Sequence, residues 1–393
     1  MARTLSRRPP PMEADRDFTE RLARFPGAKE AVLKRLPIRR WFVVTPVQRP
    51  GRWPVPLLPT PSDLATALRL DVDALDWFAD NRGLEAHTRS RALRHYHYRW
   101  LAKPTGGARL VEAPKGRTVD IQRWILRNLL DSVPPHPAAV GFRRGFSTLD
   151  AAAPHVGREV VLSLDLEDFF ASVSAARVAA TFAALGYPRP VAYCLSGLCT
   201  TRVPAAILAE QPRGGDLPAA WRQRRRLRDA HLPTGAPTSP ALANLAAFAL
   251  DTRLAAAAAA VGATYTRYAD DLSFSGDAEF SRRARRFSVL VGAIAIEEGY
   301  RVNLRKTRLA GKGARQEVVG VVVNVRPALA RDRWDRLRAI LHNCQVHGPS
   351  TQNRDGHEDF RAWITGTVAA ARAIDAKRGG RLLEMLAGVD WGR

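Results

Sequence analysis

The sequence predicts an α+β fold with antiparallel strands, and three stretches carry that reading. "HYHYRWLAKPTGGARLVEAPK", residues 95–115, alternates in polarity on both sides of a Pro-Thr-Gly-Gly turn, as a hairpin does. "VVLSLD", residues 160–165, is an apolar run that ends on an acid. "TYTRYADDLSFSG", residues 264–276, alternates again around Asp270 and Asp271. The intervening stretches space their apolar residues as helices do.

Taken in order, residues 1 to about 60 are rich in Pro and Arg. "TPVQRPGRWPVPLLPTPS" has too many prolines for a helix or a central strand, so a mobile or loosely docked extension is expected over 1–61. "SDLATALRLDVDALDWFAD" reads as helical, with Ser62 as its N-cap. "TVDIQRWILRNLLDSV" reads as an amphipathic helix stopped by Pro134 and Pro135. Val160 to Leu164 reads as a strand with Asp165 at its C-terminal end, and residues 175–199 as helical. "RGGDLPAAWRQRRRLRDAH" is a basic loop or exposed helix. "LPTGAPTSP" is a turn leading into one long Ala-rich helix from about Pro240 to Val261. After the hairpin at 264–276 come a helix through "RRARR", one or two short strands in "QEVVGVVVNVR", and helical patterns beyond Pro327.

Composition narrows the function classes. The chain has 393 residues, enough for two or three domains, and is 46% hydrophobic. Its formal net charge of +23 points to a polyanionic partner, nucleic acid before an acidic membrane. A merely basic protein from a high-GC genome is the plainer reading of the same number. Three cysteines, Cys194, Cys199 and Cys344, argue against a disulfide framework and fit a reducing cytoplasm. The Cys194–Cys199 pair lies in an apolar helical stretch and reads as core rather than zinc ligands. The basic start has no apolar stretch after it, so no signal peptide is expected, and no uncharged run reaches membrane-spanning length.

Two adjacent aspartates in an apolar hairpin need a reason. Tight hairpin turns favour glycine, because positive φ angles are required there. Here the turn holds two carboxylates and no glycine. One reading is a solvated turn with an Asx-type bond. The other is a divalent cation, which takes hard oxygen ligands and relieves the repulsion. Phosphoryl transfer often uses two such ions roughly 3.5 to 4 Å apart. That site needs a further carboxylate on a rigid element, and Asp165 at a strand end supplies one; Glu167 and Asp168 are nearby acids. Asp165, Asp270 and Asp271 together suggest two-metal nucleotidyl transfer on a nucleic acid.

The motifs, in this order, resemble the bacterial reverse transcriptases of the retron type over residues 95 to 345, roughly two-thirds of the chain. "RYADDLSFSG" resembles the family's Y-A-D-D hairpin, and "LSLDLEDFFASV" the palm strand with the first catalytic aspartate. "LPTGAPTSPALANL" resembles the loop and helix that support template and nucleotide, and "GYRVNLRKTRL" the motif whose lysine nears the triphosphate. "KPTGGARLVEAPKGRTVDIQRWIL" and "AAVGFRRGFSTLDAAAPHV" resemble the fingers.

The resemblance implies that Asp165, Asp270 and Asp271 hold two Mg2+ ions, with Mn2+ as a substitute. It places Phe170 as a steric gate against the ribose 2′-hydroxyl. Lys103 and Arg109 fall where the triphosphate is neutralised, Gly235 where a backbone approaches a base pair, Lys306 at the pyrophosphate, and Tyr268 under the primer end. Solvated basic loops, a core aromatic or a helix-end lysine are the plain alternatives for these residues. Arg331, Arg333, Arg336 and Arg338 suit RNA phosphates, or a solvated helix face.

Three positions depart from the family pattern. Thr234 replaces the glutamine of L-P-Q-G, Ala151 replaces the asparagine of N-A-x-x-H, and V-T-G reads "VVG" at 318–320.

The implied architecture is a right hand. An N-terminal extension covers 1–61, N-terminal helices and fingers 62–158, palm 159–326 with a finger-like insertion near 175–232, and a helical RNA-binding thumb 327–393. The implied activity is RNA-directed DNA synthesis from dNTPs. A structured RNA would be template and primer, its single-stranded DNA copy the product (msDNA), in a cytoplasmic anti-phage system with a separately encoded effector and no membrane. Alternatives are a group II intron-like, CRISPR-associated or non-retron defence polymerase, or a non-catalytic RNA-binding protein on the same fold.

Overall fold

The computed structural model describes Gln48 and residues 52–392, apart from Arg89, Pro104, Thr105, Arg213 and Gly215. Most of the expected N-terminal extension therefore lies outside the described residues. Its last stretch is docked: Leu58 is buried, the Gln48 amide bridges the Leu58 N–H (2.6 Å) and the Pro56 carbonyl (3.1 Å), and Tyr187 donates to the same carbonyl.

The chain folds into two compact units. The first comprises Met1–Pro135 and Asp168–Ala247, the second His136–Glu167 and Phe248–Arg393. In the first, Thr60 rather than Ser62 caps the opening helix Pro61–Ala67. Thr60 is extended and forms a capping box with Asp63, while Pro61 occupies the first turn, where its missing N–H costs nothing. Asp71 caps a second helix, Val72–Ala79. β1 (Tyr96–Ala102) and β2 (Ala108–Pro114) form the expected hairpin. One face of β2 buries Leu110, which packs with Val203, Ile207, Leu208 and Leu227.

The helical stretch at 175–199 is two helices, Ala175–Ala184 and Arg189–Cys199, because Gly186 (φ 99°) and Pro188 break it. The basic segment is a helix, Leu217–Arg228. The Ala-rich stretch is likewise not one helix. Ser239–Ala246 ends at Ala247, and a new helix runs over Phe248–Ala260 in the second unit. Cys194 and Cys199 are buried thiols pushed up to about 12 by burial, as core residues are.

The second unit is built on a four-stranded antiparallel sheet, in the order β4 (Thr264–Tyr268), β5 (Asp271–Gly276), β3 (Val160–Asp165), β6 (Arg308–Gly311). Strand alternation sorts its side chains by face. Tyr265, Leu272, Phe274, Leu162 and Leu164 share one face by register. The helix Ala278–Glu297 supplies Phe280 and Phe287 to it, and Phe287 meets Phe274 edge-on at 5.0 Å. The opposite face carries Thr266, Ser273 and Ser275 and ends in Asp165 and Asp271, which are direct register partners.

His155 is fully buried against the polar face. Its ring nitrogens meet Ser275 Oγ at 2.7 Å and Thr266 Oγ1 at 2.8 Å, and Thr266 also donates to the Ala151 carbonyl. At the family's asparagine position the chain thus makes its contact through backbone. A second sheet follows: β7 (Glu317–Val318), β8 (Val321–Val322), β9 (Ala328–Leu329). The "VVG" departure forms its first turn, with Val319 at φ 48° and Gly320 at φ 78°, the primed geometry that hairpins favour. Three helices close the chain: Arg331–His347, Phe360–Ile374 and Ala376–Ala387. They share a core that includes Leu341, Ile364, Val368 and Leu382. No single helix among the described residues is long and apolar enough to cross a membrane.

Burial holds the His155 imidazole down at about 4. Its folded pKa lies below the unfolded value of roughly 6.5, so its contribution is complete above that pH and is lost as pH falls toward 4. Between pH 7 and 4, wild type should lose on the order of 3 kcal/mol more stability than His155→Asn. Denaturant midpoints of both proteins across that range measure the difference.

Candidate active site

The site begins with strand register. Asp165 is the last residue of β3 and Asp271 the first of β5, and they stand opposite each other on one face. β3 is central, paired with β5 as far as Asp165 on one side and with β6 as far as Ser163 on the other. Beyond the strand, the Leu166 N–H donates to the Asp270 carbonyl at 2.9 Å, and the Asn303 N–H to the Asp165 carbonyl at 2.7 Å. Asp270 is thereby tied by its backbone to the residue that follows Asp165.

The turn between Tyr268 and Asp271 has only two residues, Ala269 and Asp270. Ala269 sits at φ 56°, a conformation that costs a side-chain-bearing residue of order 1 kcal/mol or more. The surroundings hold it there. Arg267, fully buried, forks onto Asp251 through Nε at 2.8 Å and Nη2 at 2.6 Å, and its Nη1 donates to the Ala269 carbonyl at 3.0 Å. Tyr265 donates to the same Asp251 oxygen as Nε. On the outer edge, the Arg267 N–H donates to the Ala138 carbonyl at 2.7 Å and the Val140 N–H to the Arg267 carbonyl at 2.8 Å. Gly141 lies so close that a Cβ would meet the Ala269 nitrogen at 2.7 Å. Tyr268, half-buried, has the exposed Phe142 ring 6.3 Å away.

The electrostatics are unbalanced toward negative charge. Desolvation first, then Asp270 and Asp165, pushes the Asp271 carboxyl up to about 6, and Lys306 acts the other way. Lys306 Nζ lies 2.7 Å from Asp165 Oδ1, and this contact raises the lysine against the burial that lowers it. Among the described residues no three His, Cys, Asp or Glu side chains converge into a ready cage for an ion. The donor set nonetheless fits a hard divalent cation: carboxylate oxygens only, clustered at strand ends, with one carboxyl reluctant to ionise.

Lys103, Arg109, Phe170 and Gly235 lie in the first unit. Lys103 and Arg109 are exposed, and Arg109 stands across from Leu101 on the outward face of the β1–β2 hairpin. Phe170 is half-buried at the start of a short 3-10 turn, Phe170–Ser172, with Phe169 5.7 Å away. Asp168, one of the nearby acids, takes Arg226 at 3.2 Å and Gln223 at 3.2 Å and sits at φ 47°. It therefore braces the turn from the helix Leu217–Arg228. Gly235 needs to be glycine: a Cβ would meet the Glu112 carbonyl oxygen at 2.8 Å. In the second unit Arg331, Arg333, Arg336 and Arg338 are exposed on one helix, away from the aspartates in sequence; Arg331 and Arg338 reach Asp335, and Arg336 reaches Asp355.

Sequence reasoning passed over a buried anchor. Glu112 of β2 is fully buried, with its Oε1 3.0 Å from His231 Nε2 and its Oε2 accepting the Thr234 N–H at 3.2 Å. The Gly235 N–H donates to the Glu112 carbonyl. His231 is raised: burial alone lowers it, but the Glu112 carboxylate outweighs that. The loop 232–237 is thus pinned to the hairpin through one residue, by its carboxylate and its backbone carbonyl. A signal existed, since Glu112 falls on the apolar side of an alternating strand. Arg267 in "TYTRY" breaks its alternation in the same way.

A family model described as reverse transcriptase (RNA-dependent DNA polymerase) matches residues 101–323. The chain is 40% identical to the retron Mx65 reverse transcriptase of Myxococcus xanthus over 337 residues, 84% of this chain and 72% of that protein. It is 37% identical to the retron Mx162 reverse transcriptase of the same organism, over 82% of this chain and 65% of that protein. Against the retron Ec86 reverse transcriptase of Escherichia coli it is 31% identical over 71% of this chain and 76% of that one.

Two outcomes follow from the geometry. Asp251→Ala leaves the Arg267 charge buried without its partner and should cost about 3–5 kcal/mol, read as a lowered denaturant midpoint. Glu112→Ala leaves His231 and the Thr234 N–H unpaired and should cost about 2–4 kcal/mol, while Glu112→Gln, whose amide oxygen can accept the Thr234 N–H and whose NH2 can donate to Nε2 of a neutral His231, should recover most of it.

Proposed function

The chain belongs to the reverse transcriptase family, in its retron type, and on that premise we propose how its residues work. It is an RNA-directed DNA polymerase, with an RNA template and a DNA product. The observation that carries the mechanism is the register pairing of Asp165 with Asp271, with Asp270 tied beside them.

Asp165, Asp270 and Asp271 would hold divalent ions against the reacting phosphates. Two Mg2+ ions, or Mn2+, held by these carboxylates would make the primer hydroxyl a better nucleophile and balance charge on the leaving pyrophosphate. The primer oxygen bonds to the α-phosphorus of the incoming dNTP, the bond to the β-phosphate breaks, and pyrophosphate leaves. Lys306, positively charged beside Asp165, is placed to shift from that carboxylate to the pyrophosphate oxygens. Tyr268, next to the turn, supports the primer end. Phe170, braced by Asp168 and Arg226, rejects a 2′-hydroxyl. Lys103 and Arg109 meet the triphosphate. Gly235 brings backbone against the base pair, in a loop fixed by Glu112. Because Thr234 is shorter than glutamine and spends its N–H on Glu112, this loop supports the nucleotide mainly through backbone.

The fuller reading is a retron enzyme in the cytoplasm. It copies a dedicated structured RNA into msDNA, binds that RNA through Arg331, Arg333, Arg336 and Arg338, and serves anti-phage defence beside a separately encoded effector. Right-hand fingers, palm and thumb, with the boundaries expected from the sequence, are part of this proposal.

The test uses nucleic acid that co-purifies from the native host, for wild type and Asp271→Ala. A discrete DNA with fixed ends, shortened by RNase and absent from the variant, is expected. RNA alone in both samples would refute templated DNA synthesis by this chain.

A further inference from the structure

The C-terminal helices contain a pocket that the polymerase mechanism does not use. It measures about 280 Å³ and opens between the helix Arg331–His347, the loop after it, and the helix Phe360–Ile374. Three flat rings stack along it. The His357 imidazole lies on the Trp363 indole at 4.4 Å and 15°, and Trp363 on Phe360 at 5.6 Å and 25°.

The His357 ring is preset rather than loose. Asn353 donates to the His357 carbonyl and accepts its N–H, each at 2.8 Å, closing the loop around it. Yet His357 Nε2 is shielded from solvent and has no hydrogen-bond partner. A buried polar atom in that condition is destabilising unless something binds it. Beside it, Asn343 donates to the Gln352 Oε1 at 3.3 Å and Gln352 Nε2 donates to Thr351 Oγ1 at 3.1 Å, and each amide has hydrogen-bonding capacity beyond these contacts. Arg336 and Arg354, both exposed, give the rim positive charge, offset in part by Asp355 3.6 Å from Arg336.

Flat faces, edge-reading amides and a cationic rim are together the chemistry of single-strand base recognition. A duplex is too wide to enter such a pocket, whereas one unstacked base is not. We propose that this pocket takes a single unpaired nucleobase of a structured RNA, stacked against the His357–Trp363–Phe360 ladder. The base edge meets His357 Nε2 and the two amides, and the flanking phosphates meet Arg336 and Arg354. The identity of the ligand as RNA rests on the reading above; the pocket chemistry does not.

The probes are RNA hairpins of one stem with a single bulged nucleotide, either A, C, G, U or an abasic ribose. Their Kd is measured with the full-length protein by fluorescence anisotropy. His357→Ala and Asn343→Ala should each weaken binding of at least one base-bearing hairpin by about 5- to 20-fold. Binding of the abasic hairpin should not change, and extension of an unstructured primer–template at saturating dNTP should stay at the wild-type rate. Trp363→Phe, which keeps a stacking face and the fold, should retain most of the affinity. Wild-type affinity in both alanine variants, or an equal loss for the abasic hairpin, would overturn the proposal. Absence of primer extension by the wild type would count against the polymerase reading alone, because the hairpin comparison needs no catalysis.

Discussion

Arg267 sits inside the second unit with no exposure, and the aspartate hairpin depends on where its three guanidinium nitrogens go. Two fork onto Asp251, and the third holds the carbonyl of Ala269, the residue just before Asp270. A buried ion pair is a poor source of net stability, but it is stiff, and its geometry admits few alternatives. Here the stiffness is spent on a backbone that would otherwise relax. Ala269 is in a left-handed conformation, and Gly141 presses from the other side. Asp270 and Asp271 follow that clamp directly in the backbone, so it helps to set where they stand.

The same logic recurs in the first unit with different chemistry. Glu112 and His231 form a buried pair whose second carboxylate oxygen takes a backbone N–H from the loop at Thr234. In each case a charged residue lies on the wrong side of an alternating strand, and in each case it holds a turn of irregular backbone. Each unit therefore fixes a turn of irregular backbone by one buried pair of side chains. His155 adds a neutral version, fixing 148–155 to β4 and β5 by two hydroxyl contacts.

Much of this was legible in the sequence. Hairpin periodicity at 95–115 and 264–276, the strand ending on Asp165, and the motif order all survive in the structure. The cap at Thr60 was displaced by one proline, since Pro61 is favourable inside the first turn but reads as a helix breaker in isolation. The Ala-rich stretch carries no local stop at Ala247, so its division could not be read from propensity. Glu112 shows in the sequence as an acid on the apolar side of a strand, but its partner His231 lies 119 positions away and only tertiary structure brings the two together. The role of Lys306 as partner of Asp165 was hidden in the same way, by a separation of 141 positions.

The second unit is interrupted in sequence, because Asp168–Ala247 belongs to the first. β3 therefore precedes both of its sheet neighbours, β5 and β6, by on the order of 100 residues. At about 5–20 residues per second, a ribosome leaves it without either partner for roughly 5–20 seconds. During that interval "VVLSL" is an apolar strand with two open edges, the form most prone to pairing with other chains. The carboxylate at its end is then a gatekeeper charge before it is anything else, and nascent chains that stall short of β6 are the ones that chaperones must catch.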